Sequence, residues 1–163
     1  MREQSCCFTG HRSVPYILEN QLTQRIRDGI QYLNDNLGIT TFYAGGAMGF
    51  DSLAAEAVIE QKKTNPDIRL VIVVPCRDQA ERWSASAKAR YEKINNSADK
   101  VICLAERYFQ GCMYQRNRYM VDHSCACICY LTEPTGGTAY TVKYAREHGL
   151  RIFNLARPKG GEG

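Results

Sequence analysis

The chain has 163 residues and a net charge of +4, and its mass of 18.4 kDa is that of one globular domain. Hydrophobic residues make up 44% of the chain and charged residues 23%, a composition that excludes disordered and collagen-like proteins. The basic residues are dispersed, so charge alone does not predict nucleic-acid binding, and a small anionic ligand is the simpler expectation. No apolar run approaches the ~20 residues of a membrane span and the first residues are too polar for a secretory signal, so we expect a cytoplasmic protein with no membrane partner.

Short β-rich segments alternate with helical patterns along the chain. Six strands are predicted, at Ser5–Thr9, Thr40–Ala44, Arg69–Pro75, Lys100–Leu104, Ala126–Leu131 and Arg151–Leu155. Five helices are predicted, at Tyr16–Leu37, from Asp51 to before Pro66, from Ala80 through Trp83 to Ile94, at Met113–Ser124 and at Thr138–Gly149. Asp51 is suited to cap the second helix, and Gly38 to end the first.

Strands joined by crossover helices predict an α/β fold, because right-handed connections place helices on both faces of a parallel sheet. We expect a doubly wound, mainly parallel six-stranded sheet. A single domain is expected over residues 1–156, followed by a disordered tail at 157–163. Eight cysteines are present without CxxC pairs. Cys125, Cys127 and Cys129 alternate within a predicted strand, so their thiols are expected on one buried face of the sheet.

Glycine-rich segments follow three of the predicted strands. They read Thr9-Gly10-His11-Arg12, Gly45-Gly46-Ala47-Met48-Gly49-Phe50-Asp51 and Thr135-Gly136-Gly137-Thr138. Strand-to-helix turns of a parallel sheet share its carboxyl edge, where ligands bind. Glycine lets backbone N–H groups converge on an anion, and each following helix adds partial positive charge. We therefore predict a phosphate or carboxylate site, which threonine hydroxyls and the Arg12 guanidinium would complete.

The standard nucleotide motifs are absent. The richest glycine segment follows the second strand and reads GGxxG, without a well-placed acid after the third strand, which argues against a nicotinamide cofactor. The P-loop pattern GxxxxGK[ST] is also missing. No cofactor and no metal site are predicted.

Three polar or aromatic side chains outside the glycines have two interpretations each. His11 is either a ligand contact or a hydrogen-bonding residue that closes its turn. Arg116, with its neighbour Asn117, either lies on a solvated helix face or reaches a ligand's phosphate and sugar. Trp83 either packs in the core or stacks on a base or a lid.

Three segments of the chain occur in a characteristic order: CCFTGHR at 6–12, GGAMGFDSLAAE at 45–56, and DHSCACICY followed by GGT at 122–138. Together they resemble the YpsA family of the SLOG superfamily, which includes the DNA-uptake protein DprA and the LOG-type phosphoribohydrolases. The resemblance implies a Rossmann-like fold and a pocket for a nucleotide or a nucleotide-derived, ADP-ribose-like ligand, in a sensor or effector. Carried over to this chain, it places in that pocket Gly10, His11, Arg12, Gly45, Gly46, Gly49, Asp51, Gly136, Gly137 and Thr138.

LOG-type enzymes carry an Arg four residues before a Met, a spacing that Arg116 and Met120 keep. Their later GGxGTxxE run is shorter here, and Thr141 stands where the Glu needed for N-glycosidic cleavage would fall. Because such cleavage needs a carboxylate, Asp51 or Asp122 would have to replace it, with Arg116 holding phosphate. Whether the protein is an enzyme stays open. The alternatives to a nucleotide sensor are a LOG-like phosphoribohydrolase and DprA-like single-stranded DNA binding, and self-association is also left open.

Overall fold

The computed structural model describes residues 2–156, so the tail expected at 157–163 lies outside the described residues. The strands are β1 Ser5–Gly10, β2 Thr41–Ala44, β3 Arg69–Val74, β4 Lys100–Cys103, β5 Ala126–Tyr130 and β6 Arg151–Asn154. The α-helices are α1 Glu19–Leu37, α2 Phe50–Thr64, α3 Ala85–Ser97, α4 Cys112–Asp122 and α5 Gly137–Glu147. Every predicted strand is present, with its ends displaced by about one residue, the usual uncertainty of such boundaries.

The strands form one sheet in the order β4-β3-β2-β1-β5-β6. Every neighbouring pair is parallel. The chain winds outward from β1 to β4 and then crosses to the other side of β1, where β5 pairs with it. The predicted doubly wound α/β fold is thus confirmed, and the strand order reverses beside β1, the place where such sheets bind ligands.

Two hydrophobic cores cover the two faces of the sheet. Side chains of α1, α2 and α3 pack on one face, among them Ile30, Val58 and Ile94. Side chains of α4 and α5, among them Met120 and Val142, pack on the other. The α4 and α5 helices lie side by side, α4 against β1 and β3 and α5 against β5 and β6, with their N-termini at the carboxyl edge of the sheet.

The cysteines of β5 and its neighbours are divided between the two cores. Cys127 and Cys129 of β5 lie in the second core together with Cys7 of β1. Cys125 instead packs against the first core, so the expectation of three alternating thiols on one face is wrong for this residue. The reason is that β5 begins only at Ala126. Within residues 2–156 no group of three or more His, Cys, Asp or Glu side chains is arranged to hold a metal ion.

Three helix starts differ from the predictions. A 3₁₀ turn at Tyr16–Leu18 precedes α1, although Gly38 ends that helix in the left-handed conformation as expected. The N-cap of α2 is Gly49, and Asp51 lies inside the first turn. The third helix starts only after Ser84, whose side chain accepts a hydrogen bond from the Ala87 N–H at 3.2 Å, so Trp83 precedes it. No helix among the described residues is long and apolar enough to span a bilayer.

Candidate functional site

A cavity of about 280 Å³ opens at the carboxyl edge of the sheet beside β1. We call it the edge cavity. Its wall is formed by the end of β1, the segment after β2, the start of α4, and the loop between β5 and α5. The lining residues are Phe8, Thr9, Gly10, His11, Arg12, Ala47, Asp51, Met113, Arg116, Asn117, Glu133, Thr135, Gly136, Gly137 and Thr138. All three glycine segments therefore meet at one edge of the sheet.

The second glycine segment serves packing more than ligand access, because Gly45, Gly46 and Gly49 are absent from the cavity wall. A Cβ at Gly45 would lie 2.5 Å from Arg116 Nη1. A Cβ at Gly49, where φ is +73°, would overlap the Arg12 carbonyl group. The missing side chains thus allow the first turn and the Arg116 guanidinium to approach the backbone closely.

Two arginines contribute positive charge to the edge cavity. Arg116 is only 4% exposed; its Nη1 donates to the carbonyl oxygens of Gly45 and Val73. Its Nη2 lies 3.8 Å from the Met113 sulfur, and Arg12 Nη2 lies 3.7 Å from the same sulfur. Among the described residues Arg116 forms no ion pair with a carboxylate. The cavity wall thus holds a buried cation whose hydrogen-bond partners are all neutral groups.

Asp51 is the buried carboxyl nearest to this cation. Its Oδ2 accepts a hydrogen bond from the Ala47 N–H at 3.3 Å. Burial raises the pKa of Asp51, and the Arg116 guanidinium opposes that rise in part. Burial likewise lowers the pKa of the Arg116 guanidinium, against the attraction of Asp51. No hydrogen bond or ion pair joins Asp51 to Arg116 among the described residues, so the carboxyl compensates the positive charge only from a distance.

The start of α5 adds backbone donors. Gly136, with φ +103°, is its N-cap, and no side chain caps this helix. The first N–H groups of a helix have no intrahelical acceptor and carry the positive end of its dipole. Gly137 and Thr138, which supply two of those groups, line the edge cavity. The N-terminus of α5 can therefore bind an anion there.

His11 makes the structural hydrogen bond that one of its two interpretations expects. Its Nε2 accepts from the Thr132 N–H at 2.9 Å, and its ring lies 5.8 Å from the ring of Tyr130. This bond ties the turn after β1 to the loop after β5. Since His11 also lines the edge cavity, it joins two walls of the site.

Asn117 positions other side chains. Its Oδ1 accepts from Arg116 Nε at 2.7 Å, and its Nδ2 donates to Thr141 Oγ1 at 2.9 Å. The Thr141 hydroxyl in turn donates to the Gly137 carbonyl at 2.9 Å. The residue at the position of the LOG glutamate is therefore neutral and already bonded within the protein.

The candidate carboxylates have different locations. Asp51 lines the edge cavity, whereas Asp122 does not; it ends α4, where its Oδ1 accepts from the Tyr144 hydroxyl at 2.8 Å. Glu133, Met113 and Phe8 line the cavity although the sequence motifs do not include them as ligand contacts. Glu133 lies in the same strand-to-helix loop as Thr135 and Gly136, and this position in the chain could have predicted that it lines the cavity. Met113 lies one helical turn before Arg116, which placed it on the same face.

Comparison with known proteins gives the family. The sequence profile of the YspA SLOG family matches residues 6–154. The chain belongs to the YspA SLOG family, which is the YpsA family that its three motifs resemble. It is 32% identical over 118 residues to the SPbeta prophage-derived protein YoqJ of Bacillus subtilis (strain 168), covering 65% of this chain and 69% of that one. It is 28% identical over 143 residues to the UPF0398 protein BH1768 of Halalkalibacterium halodurans, covering 84% and 71%.

Solved structures share the fold of this YspA SLOG member at low sequence identity. DNA processing protein A of Helicobacter pylori matches with a TM-score of 0.65 and 18% identity, over 94% of this chain and 65% of that chain. DNA processing protein A of Streptococcus pneumoniae matches with a TM-score of 0.67 and 18% identity, over 92% and 49%. The structure of TM1055 matches with a TM-score of 0.61 and 13% identity, over 93% and 72%. The chain thus spans about two thirds of the first structure and half of the second.

Proposed function

We propose that the protein binds a nucleotide or an ADP-ribose-like ligand through a phosphate group in the edge cavity, and acts as a sensor or effector of that ligand in the cytoplasm. The volume of about 280 Å³ is close to the lower end of ligand pockets, roughly 300 Å³. Such a space suits a phosphate with its ribose.

The observation that carries this proposal is the buried Arg116 guanidinium in the cavity wall. A buried cation without a paired anion is unfavourable unless a ligand supplies the charge. Arg12 stands on the other side of the Met113 sulfur, and the free N–H groups of α5 belong to the same wall. An anion bound there would accept charge-assisted hydrogen bonds, each contributing about 1.5–3 kcal/mol.

Ligand-induced thermal stabilisation tests the proposal. Adenosine monophosphate or ADP-ribose at about a hundred times its Kd should stabilise the protein by about 2.7 kcal/mol. Arg12→Ala should remove most of that stabilisation. The matched control is Arg118→Ala: Arg118 lies on α4 but donates to the Tyr140 hydroxyl at 3.0 Å, outside the cavity wall. Equal stabilisation of Arg12→Ala and wild type would reject the cavity as the binding site.

Substitution of a glycine in the second segment is a poorer probe of binding. Gly46 has φ +72°, and a Cβ there would lie 3.2 Å from Ile72. Gly46→Val is thus expected to destabilise the fold itself. The arginine variant separates binding from folding because Arg12 is exposed at the turn.

N-glycosidic hydrolysis is a second candidate because Glu133 lines the edge cavity. This residue and Asp51 are carboxyl groups that could steady an oxocarbenium-like transition state. Incubation with adenosine monophosphate should then release adenine, and Glu133→Gln should abolish the release while thermal stabilisation persists. If the nucleotide stabilises the wild-type protein but no adenine is released, hydrolysis is rejected and the sensor function remains as the proposal.

Single-stranded DNA binding has less support. DNA processing protein A of Helicobacter pylori binds single-stranded DNA, but 18% identity extends only the fold to this chain. The net charge of +4 is small, and the edge cavity has room for one phosphate with its ribose. We expect oligonucleotides to bind weakly, without the steep salt dependence of many phosphate contacts.

A further inference from the structure

A second cavity, of about 400 Å³, adjoins the edge cavity at the carboxyl edge of the sheet. We call it the tryptophan cavity. Its wall includes Asp78, Gln79, Arg82, Trp83, Tyr108 and Met113. Met113 lines both cavities, so they meet at this side chain. A phosphate in the edge cavity leaves the tryptophan cavity unused.

Two loops build the tryptophan cavity, one after β3 and one after β4, and several hydrogen bonds hold them together. The Arg77 guanidinium donates to both carboxylate oxygens of Glu106, at 3.1 and 3.2 Å. The backbone N–H of Tyr108 donates to Asp78 Oδ1 at 3.1 Å. The Arg77 N–H also donates to the Ala105 carbonyl at 2.9 Å. These links hold the cavity walls in place without a ligand, which limits the ordering that binding requires.

Trp83 offers a stacking surface in this cavity. The residue is half-buried, because α3 starts only after Ser84 and leaves the indole on the preceding turn. Its ring meets Tyr91 edge to face, with centroids 5.2 Å apart at 75°. An aromatic ring held along one side can present a face to a flat ligand. Base stacking on such a ring is largely independent of base identity.

Gln79 adds a polar group to the same wall. Its Nε2 donates to the Gly46 carbonyl at 3.4 Å, whereas its Oε1 is buried and has no hydrogen-bond partner among the described residues. A buried acceptor left unpaired is rare and needs a physical reason. Gln79 lines the tryptophan cavity, so rotation of its amide toward that cavity would let a ligand N–H donor supply the missing partner.

We propose that the tryptophan cavity is the nucleobase subsite of the ligand whose phosphate occupies the edge cavity. The base stacks on Trp83, an amino group on the base donates to Gln79 Oε1, and the ribose passes Met113. This inference rests on the proposed function. It narrows the preferred ligand class to nucleotides with an amino-bearing base, such as adenine, and predicts weaker binding of sugar phosphates that lack a base.

Trp83 is the single tryptophan of the chain, so its fluorescence reports on this cavity directly. Adenosine monophosphate and ribose 5-phosphate share a phosphate and a ribose and differ in the base. Calorimetry should show adenosine monophosphate binding at least about tenfold more tightly than ribose 5-phosphate. Only the nucleotide should quench the tryptophan emission.

Variants at Trp83 then test whether this side chain causes the difference in affinity between the two ligands. Trp83→Ala should weaken the binding of adenosine monophosphate until its Kd equals that of ribose 5-phosphate. The Kd of ribose 5-phosphate itself should stay unchanged. Trp83→Phe, which keeps an aromatic ring, should retain part of the preference. Unchanged binding of ribose 5-phosphate also shows that the variants are folded.

Three results would overturn the inference. If the two ligands bind equally tightly and the emission is unchanged, the base subsite is refuted while the phosphate site stands. If Trp83→Ala weakens both ligands by the same factor, Trp83 has only a structural role. If neither ligand binds the wild-type protein, the proposed function itself fails, and the subsite fails with it.

Discussion

The close contact between the first and second glycine segments predicts a large effect of Gly49→Ala. Gly49 has φ +73°, and an added Cβ would overlap the Arg12 carbonyl group. Beside it, the Phe50 N–H donates to the His11 carbonyl at 3.1 Å. The substitution should therefore strain the start of α2 and push it away from the turn after β1.

The expected loss of folding stability in Gly49→Ala has two parts. Gly49 has φ +73° and ψ −124°, a backbone combination that glycine adopts but other residues rarely do, and which disfavours a non-glycine residue by about 1–3 kcal/mol. Overpacking against backbone adds about 1–3 kcal/mol. Gly49→Ala should thus lower the free energy of unfolding by about 2–6 kcal/mol, which for a chain of this size lowers the Tm by roughly 5–20 °C.

Gly38→Ala is the matched control. Gly38 also has a positive φ, but its φ of +65° and ψ of +24° lie in the ordinary left-handed region, and a Cβ there meets nothing within 4 Å, so Gly38→Ala carries only a conformational cost of about 1–2 kcal/mol. Restriction of the unfolded chain is common to both variants and cancels in the comparison. Urea denaturation of the two variants measures the difference. Equal destabilisation would refute the argument that the two glycine segments are packed against each other.

Further predictions concern single groups around the site. His11→Ala removes the acceptor of the Thr132 N–H, so hydrogen exchange at that amide should accelerate about fivefold, and an unchanged rate would contradict the contact. Burial raises the pKa of Asp51 in the folded state, so the folded protein holds this proton more tightly than the unfolded chain does. The resulting stabilisation is complete below the unfolded pKa of about 3.9 and is lost as the pH rises through the folded-state pKa. Wild type should therefore lose stability relative to Asp51→Asn as the pH rises above about 4; a constant difference in urea denaturation would count against this. Cys103 is the exposed thiol of the described residues, so a thiol reagent should modify it faster than the other cysteines. If Cys103→Ser still shows this fast modification, the prediction is wrong.

The sequence predicts the sheet well because each strand is a short apolar segment between clear turn signals. The start of α3 is less predictable, since Ala80 and Trp83 continue the apolar spacing of the helix in the N-terminal direction. Ser84 was the cap signal that ends this ambiguity. The late start of α3 leaves Trp83 at the edge of a cavity. The sequence does not show this, because the cavity forms only where the loops after β3 and β4 meet in the fold.

The site is only partly predictable for a different reason. Glycine motifs locate the edge of the sheet, but they do not distinguish a glycine that admits a ligand from one that admits another part of the chain. Gly45 makes room for Arg116, a contact across much of the sequence. Burial of Arg116 was also hidden, because arginine is rarely buried and the surrounding helix is polar. Glu133 carried no motif of its own.

A crystal structure of the protein with saturating adenosine monophosphate tests the central claim most directly. We expect the phosphate to lie between the guanidinium groups of Arg12 and Arg116, within hydrogen-bond distance of the Gly137 and Thr138 N–H groups. A nucleotide bound elsewhere on the protein, with the edge cavity holding only solvent, would contradict the account.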